Sequence, residues 1–256
     1  MIRGSAPTAR GPFSCPELPM LRILGLGILF LAVAFPAAAE KLAKTKDGPP
    51  PPFAVEELQA REAQRQPADF DLWKKHVTAF DKDRLSRMAE AIGQGLDEAK
   101  ANADPKDLAH VKAILGADTL TLTPDTLVKA YRCRTIKVGG PIGSAIIYGW
   151  FKCNIAKMPD GRLFFEKTTG SQRMTGYLYP MSDTKWVLLA APNKDHSGPA
   201  RDYSGPKGGI TDPQMQDRVG VVEWLQNGRY RIVFPYPVLE STFDIVEMEC
   251  ACSMGE

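Results

Sequence analysis

Histidine is scarce: His76, His110 and His196 are the only three in 256 residues, and none stands at ligand spacing from Cys133 or Cys153. The chain also lacks a glycine-rich phosphate loop, a GxGxxG turn and an HExxH helix. These absences remove the usual signs of nucleotide, dinucleotide and zinc chemistry, and no cofactor is expected. No internal repeat of solenoid or propeller length is present. Net charge is scarce too, once the leader is set aside. Of 32 basic and 30 acidic side chains, Arg3, Arg10, Arg22 and Glu17 lie within residues 1–39, leaving 29 of each. A neutral remainder gives no global reason to expect nucleic acid or an anionic membrane as partner.

One long apolar run is present. Met20-Leu21-Arg22 precedes the uncharged stretch Ile23–Ala39, which ends in Ala37-Ala38-Ala39 before Glu40. A basic start, an apolar centre and a small-residue end, in that order, make a secretory signal peptide with cleavage after Ala39. The competing reading is an uncleaved anchor, for which the run is barely long enough. Residues 1–19 read as an extension upstream of the start at Met20. Four cysteines remain after export, and an even number in an oxidising compartment favours disulfides. The expected product is periplasmic or secreted, with no stable membrane insertion once the leader is removed.

Residues 40–52 are charged and then proline-rich, a solvated spacer. A single domain is expected over 53–256, with a helical part at 53–118 and an antiparallel β part at 131–249. Leu85, Met88, Ile92, Leu96 and Ala99 recur at helical spacing, with Asp81 as a candidate N-cap, and Asp104-Pro105 restarts a helix. From Tyr131 the period changes to two. Eight strands are predicted at 131–138, 146–158, 162–168, 173–180, 185–191, 217–225, 229–236 and 243–249, with hairpin turns at Pro159-Asp160-Gly161 and Asn227-Gly228. The fold class is therefore α+β, with N-terminal helices on an eight-stranded antiparallel β-barrel or sandwich-like meander. Residues 192–216 form a long loop that is either functional or solvated, the latter being favoured.

Within YRCRTIK and WFKC, alternation places Tyr131 and Cys133 on one face and Phe151, Cys153 and Ile155 on another. If these are one inward face, Cys133 and Cys153 form a cross-strand disulfide. Buried free thiols and a metal site are the competing readings. The opposite face carries Arg132, Arg134 and Lys152, relieved by Glu166, and is either a solvated stripe or an anion site. Candidate polar contacts for a ligand are Arg134 with Ser171, Gln172 and Arg173 at a strand junction. Ser171, or Ser197 next to Asp195-His196, could serve a hydrolase, but no GxSxG elbow surrounds Ser171. Glu223 and Glu240 are single carboxylates without an evident acid–base partner. Cys250-Ala251-Cys252 with Met248 and Met254 has soft ligands suited to Cu(I), although so close a pair would bond to each other only with strain.

The strings YRCRTIK, WFKC, TGSQR, GYLYP, VGVVE and NGRYRIVFPYPVLESTFDIVEME resemble a bacterial exported family catalogued as domain of unknown function 4893, from about Asp69 to Glu249. The resemblance implies an exported domain with leading helices and a β-rich body, and implies no activity. Cys133 and Cys153 fall within the family's pattern; Cys250 and Cys252 fall after its usual end. The expectation is a non-catalytic binding module for a small apolar ligand or a partner protein, with a serine hydrolase and a copper-handling protein as alternatives. An interior filled by Phe165, Trp186 and Phe234 would favour the partner over the ligand.

Overall fold

Alternation of inward and outward side chains builds eight long strands here, and their pairing closes on itself. The structure, a computed structural model, describes residues 68–194, 198–208 and 212–251. The expected leader, the spacer, the start of the helical part and Asp195-His196-Ser197 lie outside the described residues, as do Cys252 and Met254.

Four α-helices come first: α1 (Ala79–Ser86), α2 (Met88–Ala99), α3 (Pro105–Gly116) and the short α4 (Pro124–Leu127). Strands β1 (Thr119–Leu120), β2 (Lys129–Val138), β3 (Ala145–Ile147), β4 (Phe151–Lys157) and β5 (Leu163–Lys167) begin the sheet. It is completed by β6 (Met174–Pro180), β7 (Trp186–Pro192), β8 (Arg218–Leu225), β9 (Tyr230–Pro235) and β10 (Phe243–Cys250). The ring runs β2–β4–β5–β6–β7–β8–β9–β10 and back to β2, antiparallel throughout. It is an eight-stranded antiparallel barrel, so no ring strand is left with an open edge.

All eight predicted strands are present, but the one expected over 146–158 is divided. β3 pairs with the C-terminal part of β2 and β4 with its N-terminal part, and Tyr148-Gly149-Trp150 breaks the run between them. The turns behave as their residues require: Gly161 and Gly228 have φ of 85° and 80°, which glycine adopts without a Cβ penalty.

Inward positions form one apolar cluster that includes Cys133, Cys153, Ile155, Phe165, Leu188, Ile232 and Met248. Phe165 is fully buried, and Trp186 and Phe234 nearly so. Gly220 faces the same interior. A Cβ there would lie 2.8 Å from Ile232 Cγ2 and 3.0 Å from Phe234 Cδ1, so the missing side chain makes room for two others. Each fully buried Leu, Ile or Phe stabilises the fold by about 1.5–3 kcal/mol relative to exposure.

Cys133 and Cys153 are bonded to each other, with Cα atoms 5.8 Å apart. Cys133 faces Phe151 and Tyr131 faces Cys153 in the β2–β4 register, so the two sulfurs join diagonal neighbours on the inner face. Ile155 faces Phe165 across the next hairpin, adding the aromatic wall expected beside them.

One end of the barrel is plugged. Thr123 and Thr126 form a capping box that starts α4, and Leu122 and Leu127 join the interior cluster. Tyr131 Oη donates to the Leu127 carbonyl and Tyr230 Oη to the Thr126 carbonyl, each at 2.6 Å.

The helices cover the outside. Ala91 and Ala99 of α2 and Val111 and Ile114 of α3 cluster with Ile136, Val138, Val233, Phe243 and Ile245. Gly95 permits this contact, because a Cβ would stand 2.6 Å from the Phe243 ring. The stripe expected from Leu85 to Ala99 is split at Arg87: Leu85 belongs to α1 and packs with Trp73, Val77 and Val187, while the rest lies on α2. Asp81 is not the N-cap. Thr78 caps α1 by accepting from Asp81 N, and the buried Asp81 carboxylate holds Arg84 instead. Asp104 and Pro105 start α3 as expected.

The long loop, expected to be solvated, is tied down where it is described. Tyr203 Oη donates to Asp81 Oδ2 at 2.6 Å and accepts from Thr78 N, and Arg201 pairs with Asp217 at 2.6 Å. Burial lifts the Tyr203 phenol far above its usual range, with Asp81 adding to the effect.

Replacing both Cys133 and Cys153 by Ala is expected to lower unfolding free energy by about 3 kcal/mol in denaturant melts. Gly220→Val should cost about 1–3 kcal/mol by overpacking, read as a lower denaturation midpoint with an unchanged slope.

Candidate functional site

The inner face does not stay apolar to its end. Two steps beyond Cys133 on β2 lie Thr135 and then Lys137, and two steps beyond Phe165 on β5 lies Lys167. The same alternation brings Arg218 to the start of β8 and Asp244 to the start of β10. All four reach the end opposite the α4 plug, because β2 and β5 end where β8 and β10 begin. Charges on inward positions of four strands therefore converge on one barrel mouth.

Two adjoining hollows occupy this mouth. The outer one, of about 180 Å³, lies between Lys137, Tyr148, Phe151, Lys167, Ser171, Gln172 and Glu240. The inner one reaches down to Phe234 and Val246 past Lys137, Arg173, Arg218 and Asp244, but holds only about 30 Å³. That is room for a water or two, so below the charged ring the barrel is solid.

The backbone here is held in costly conformations. Gln172 and Glu240 have φ of 51° and 70°, two of the three non-glycine residues with positive φ among the described residues. Such conformations cost on the order of 1–3 kcal/mol each and persist where the surroundings over-determine them.

The charges are unevenly matched. Lys137 Nζ stands 2.7 Å from Glu240 Oε2, and this contact holds the Glu240 carboxyl below its usual range. Asp244 is pushed upward by burial, against the pull of Lys137, a Ser241 hydroxyl at 2.5 Å and Arg218. Lys167 is almost entirely buried, donates to the Ser171 carbonyl at 2.8 Å and lies 4.7 Å from the Phe151 ring centre. Burial, reinforced by Lys137 and Arg173, pulls its amine down to about 8. Among the described residues, Lys167, Arg173 and Arg218 have no carboxylate within ion-pair distance.

Of the residues singled out from the sequence, Ser171 and Gln172 line the outer hollow and Arg173 the inner one. Arg134 is elsewhere, on the outer face. Its Nε is 2.7 Å from Glu247 Oε2, a further nitrogen is 2.7 Å from His110 Nε2, and its guanidinium stacks 4.6 Å from the Trp150 ring centre. Glu247 is wholly buried and is also held by Arg229 at 2.5 Å, while Arg132 pairs with Glu249. Glu166 does not relieve this stripe. The β2–β10 register sets Arg134 opposite Glu247 and Arg132 opposite Glu249, so β10 supplies the carboxylates.

Sequence reasoning missed Lys137, Lys167, Arg218 and Asp244. The signal was the alternation itself: Cys133 inward requires Lys137 inward, and Phe165 inward requires Lys167 inward. Among the described residues, which do not include His196, no histidine lines either hollow. Among the described residues no group of three His, Cys, Asp or Glu is placed to hold a metal ion. Cys250 is disulfide-bonded. No described helix is long and apolar enough to cross a membrane.

No curated protein and no solved structure matches the chain. The family model described as Domain of unknown function (DUF4893) matches residues 73–248, a span that includes α1 to α4, the bonded pair Cys133 and Cys153, and every residue of the charged mouth. With well over half its length covered, the chain belongs to that family.

Proposed function

We propose that this protein is an exported, non-catalytic binding module that recognises a partner at the open mouth of its barrel and not within the barrel. The observation that carries this reading is the filled interior. Phe165, Trp186 and Phe234 occupy the space where a lipocalin-like barrel would hold an apolar ligand, and about 30 Å³ remains above them. What is left for recognition is the rim, where Ser171, Gln172 and Arg173 meet Lys137 and Lys167. The strained Gln172 and Glu240 backbones support the same location, since such strain collects at ligand clamps.

Export is part of the proposal. It is supported by the basic start, apolar run and alanine triplet at residues 20–39, and by a disulfide that an oxidising compartment would maintain. The domain would begin beyond the proline-rich stretch at 40–52. A hydrolase using Ser171 gains no support from the mouth, where no imidazole among the described residues lines the hollow beside that serine.

In a fractionated bacterial host, the full chain is expected in the periplasmic extract with Glu40 as its first residue; retention in the cytoplasm at full length would contradict export. Titration with a fluorescent fatty-acid analogue should give no saturable emission increase. Saturable uptake abolished by Gly220→Leu, which fills the interior further, would contradict recognition at the mouth.

A further inference from the structure

We infer that the barrel mouth is built to take a compact, doubly charged oxyanion, a phosphate monoester or a paired carboxylate group, between Lys167, Arg173 and Arg218. The inference rests on the mouth being the binding surface and adds the chemistry of what it binds. Four cations, Lys137, Lys167, Arg173 and Arg218, line the two hollows with two carboxylates, Glu240 and Asp244. Glu240 is spent on Lys137 at 2.7 Å, and Asp244 shares its buried position with a serine hydroxyl. The charge left over is positive and close to that of a dianion.

Lys167 sharpens the case. A buried ammonium costs free energy unless it is paired, and among the described residues this one has a single protein acceptor, the Ser171 carbonyl, for three donors. The remaining donors adjoin the outer hollow, beside the hydroxyl of Ser171 and the amide of Gln172. Arg173 spends its Nε on the Gly170 carbonyl and keeps its forked nitrogens for an oxyanion, while the Arg218 side chain makes no hydrogen bond among the described residues. Like charges held together with no carboxylate within ion-pair distance raise one another's free energy, and an entering anion relieves that repulsion.

The site also has a pH sense. Lys167 carries its proton below about 8 and loses it above, under the influence of Lys137, Arg173 and Asp244. A bound anion favours the protonated amine, so affinity falls as pH rises through that value.

The test is a nuclear magnetic resonance titration of the mature chain with inorganic phosphate and, separately, succinate. The expected result is saturable shifts at Gln172 and Glu240 with none at Arg132 or Arg134. Lys167→Gln and Arg173→Gln should each weaken binding about tenfold, the loss expected for one charge-assisted contact. Succinate, fully ionised throughout, should bind more weakly at pH 9 than at pH 7 in the wild type and equally in Lys167→Gln. Saturation by phosphate alone assigns the group to a phosphoryl compound, and by succinate alone to a carboxylate. If neither saturates, or if Arg173→Gln binds as the wild type does, the inference is overturned. Should Lys167→Gln fail to fold, the half-exposed Arg173 still decides. Loss of the oxyanion would leave recognition at the mouth standing, whereas fatty-acid uptake into the interior would remove that reading on its own.

Discussion

Closure of the ring through the β2–β10 pair is the constraint from which the rest follows. Once Thr135 faces Val246 and Cys133 faces Met248, the sheet has no free ends, and each ring strand must turn one set of alternating side chains into a shared interior. A slip of one residue in any strand would put charges inside and leucines outside. The disulfide between diagonal partners on β2 and β4 fixes one of these registers covalently, and the hairpins at Gly161 and Gly228 fix two others.

That interior is polarised along its axis. At one end α4 and two tyrosine hydroxyls seal the barrel by satisfying the helix's own carbonyls. In the middle, aromatic and branched residues exclude water. At the other end the inward positions become Lys137, Lys167, Arg218 and Asp244, charges that a fully enclosed core would not tolerate. The outer charges are arranged differently. Arg132, Arg134 and Arg229 surround Glu247 and Glu249 in a network in which every arginine has a carboxylate within ion-pair distance. The contrast between a matched network outside and an unmatched ring at the mouth is what separates a structural charge cluster from a candidate site.

Much of this was legible in the sequence because period-two alternation is a strong signal once three or four strands repeat it. All eight ring strands, the inward pair Cys133 and Cys153, and the facing of Ile155 and Phe165 follow from alternation and turn chemistry alone. Closure did not follow, since β8 and β9 are a hairpin whichever way the sheet ends, and the β2–β10 pairing spans more than a hundred residues. The break at Tyr148-Gly149-Trp150 was hidden inside an apolar run that reads as one strand. Arg134 was drawn in by its basic neighbours; its partner Glu247 lies on a strand that local reasoning cannot place beside it. The mouth was readable only in part. Ser171, Gln172 and Arg173 stood out as a polar turn, while Lys137 and Lys167 were passed over because charged residues at strand ends are ordinarily read as solvated.

The central claim is that a buried lysine stands at the barrel mouth without a counter-charge. Titration of the Lys167 amine, followed by its side-chain carbon resonance, tests it most directly. The account predicts a midpoint near pH 8; a midpoint in the ordinary amine range, about 10.4, would mean that the amine is solvated or paired, and the mouth would lose its reason to bind an anion.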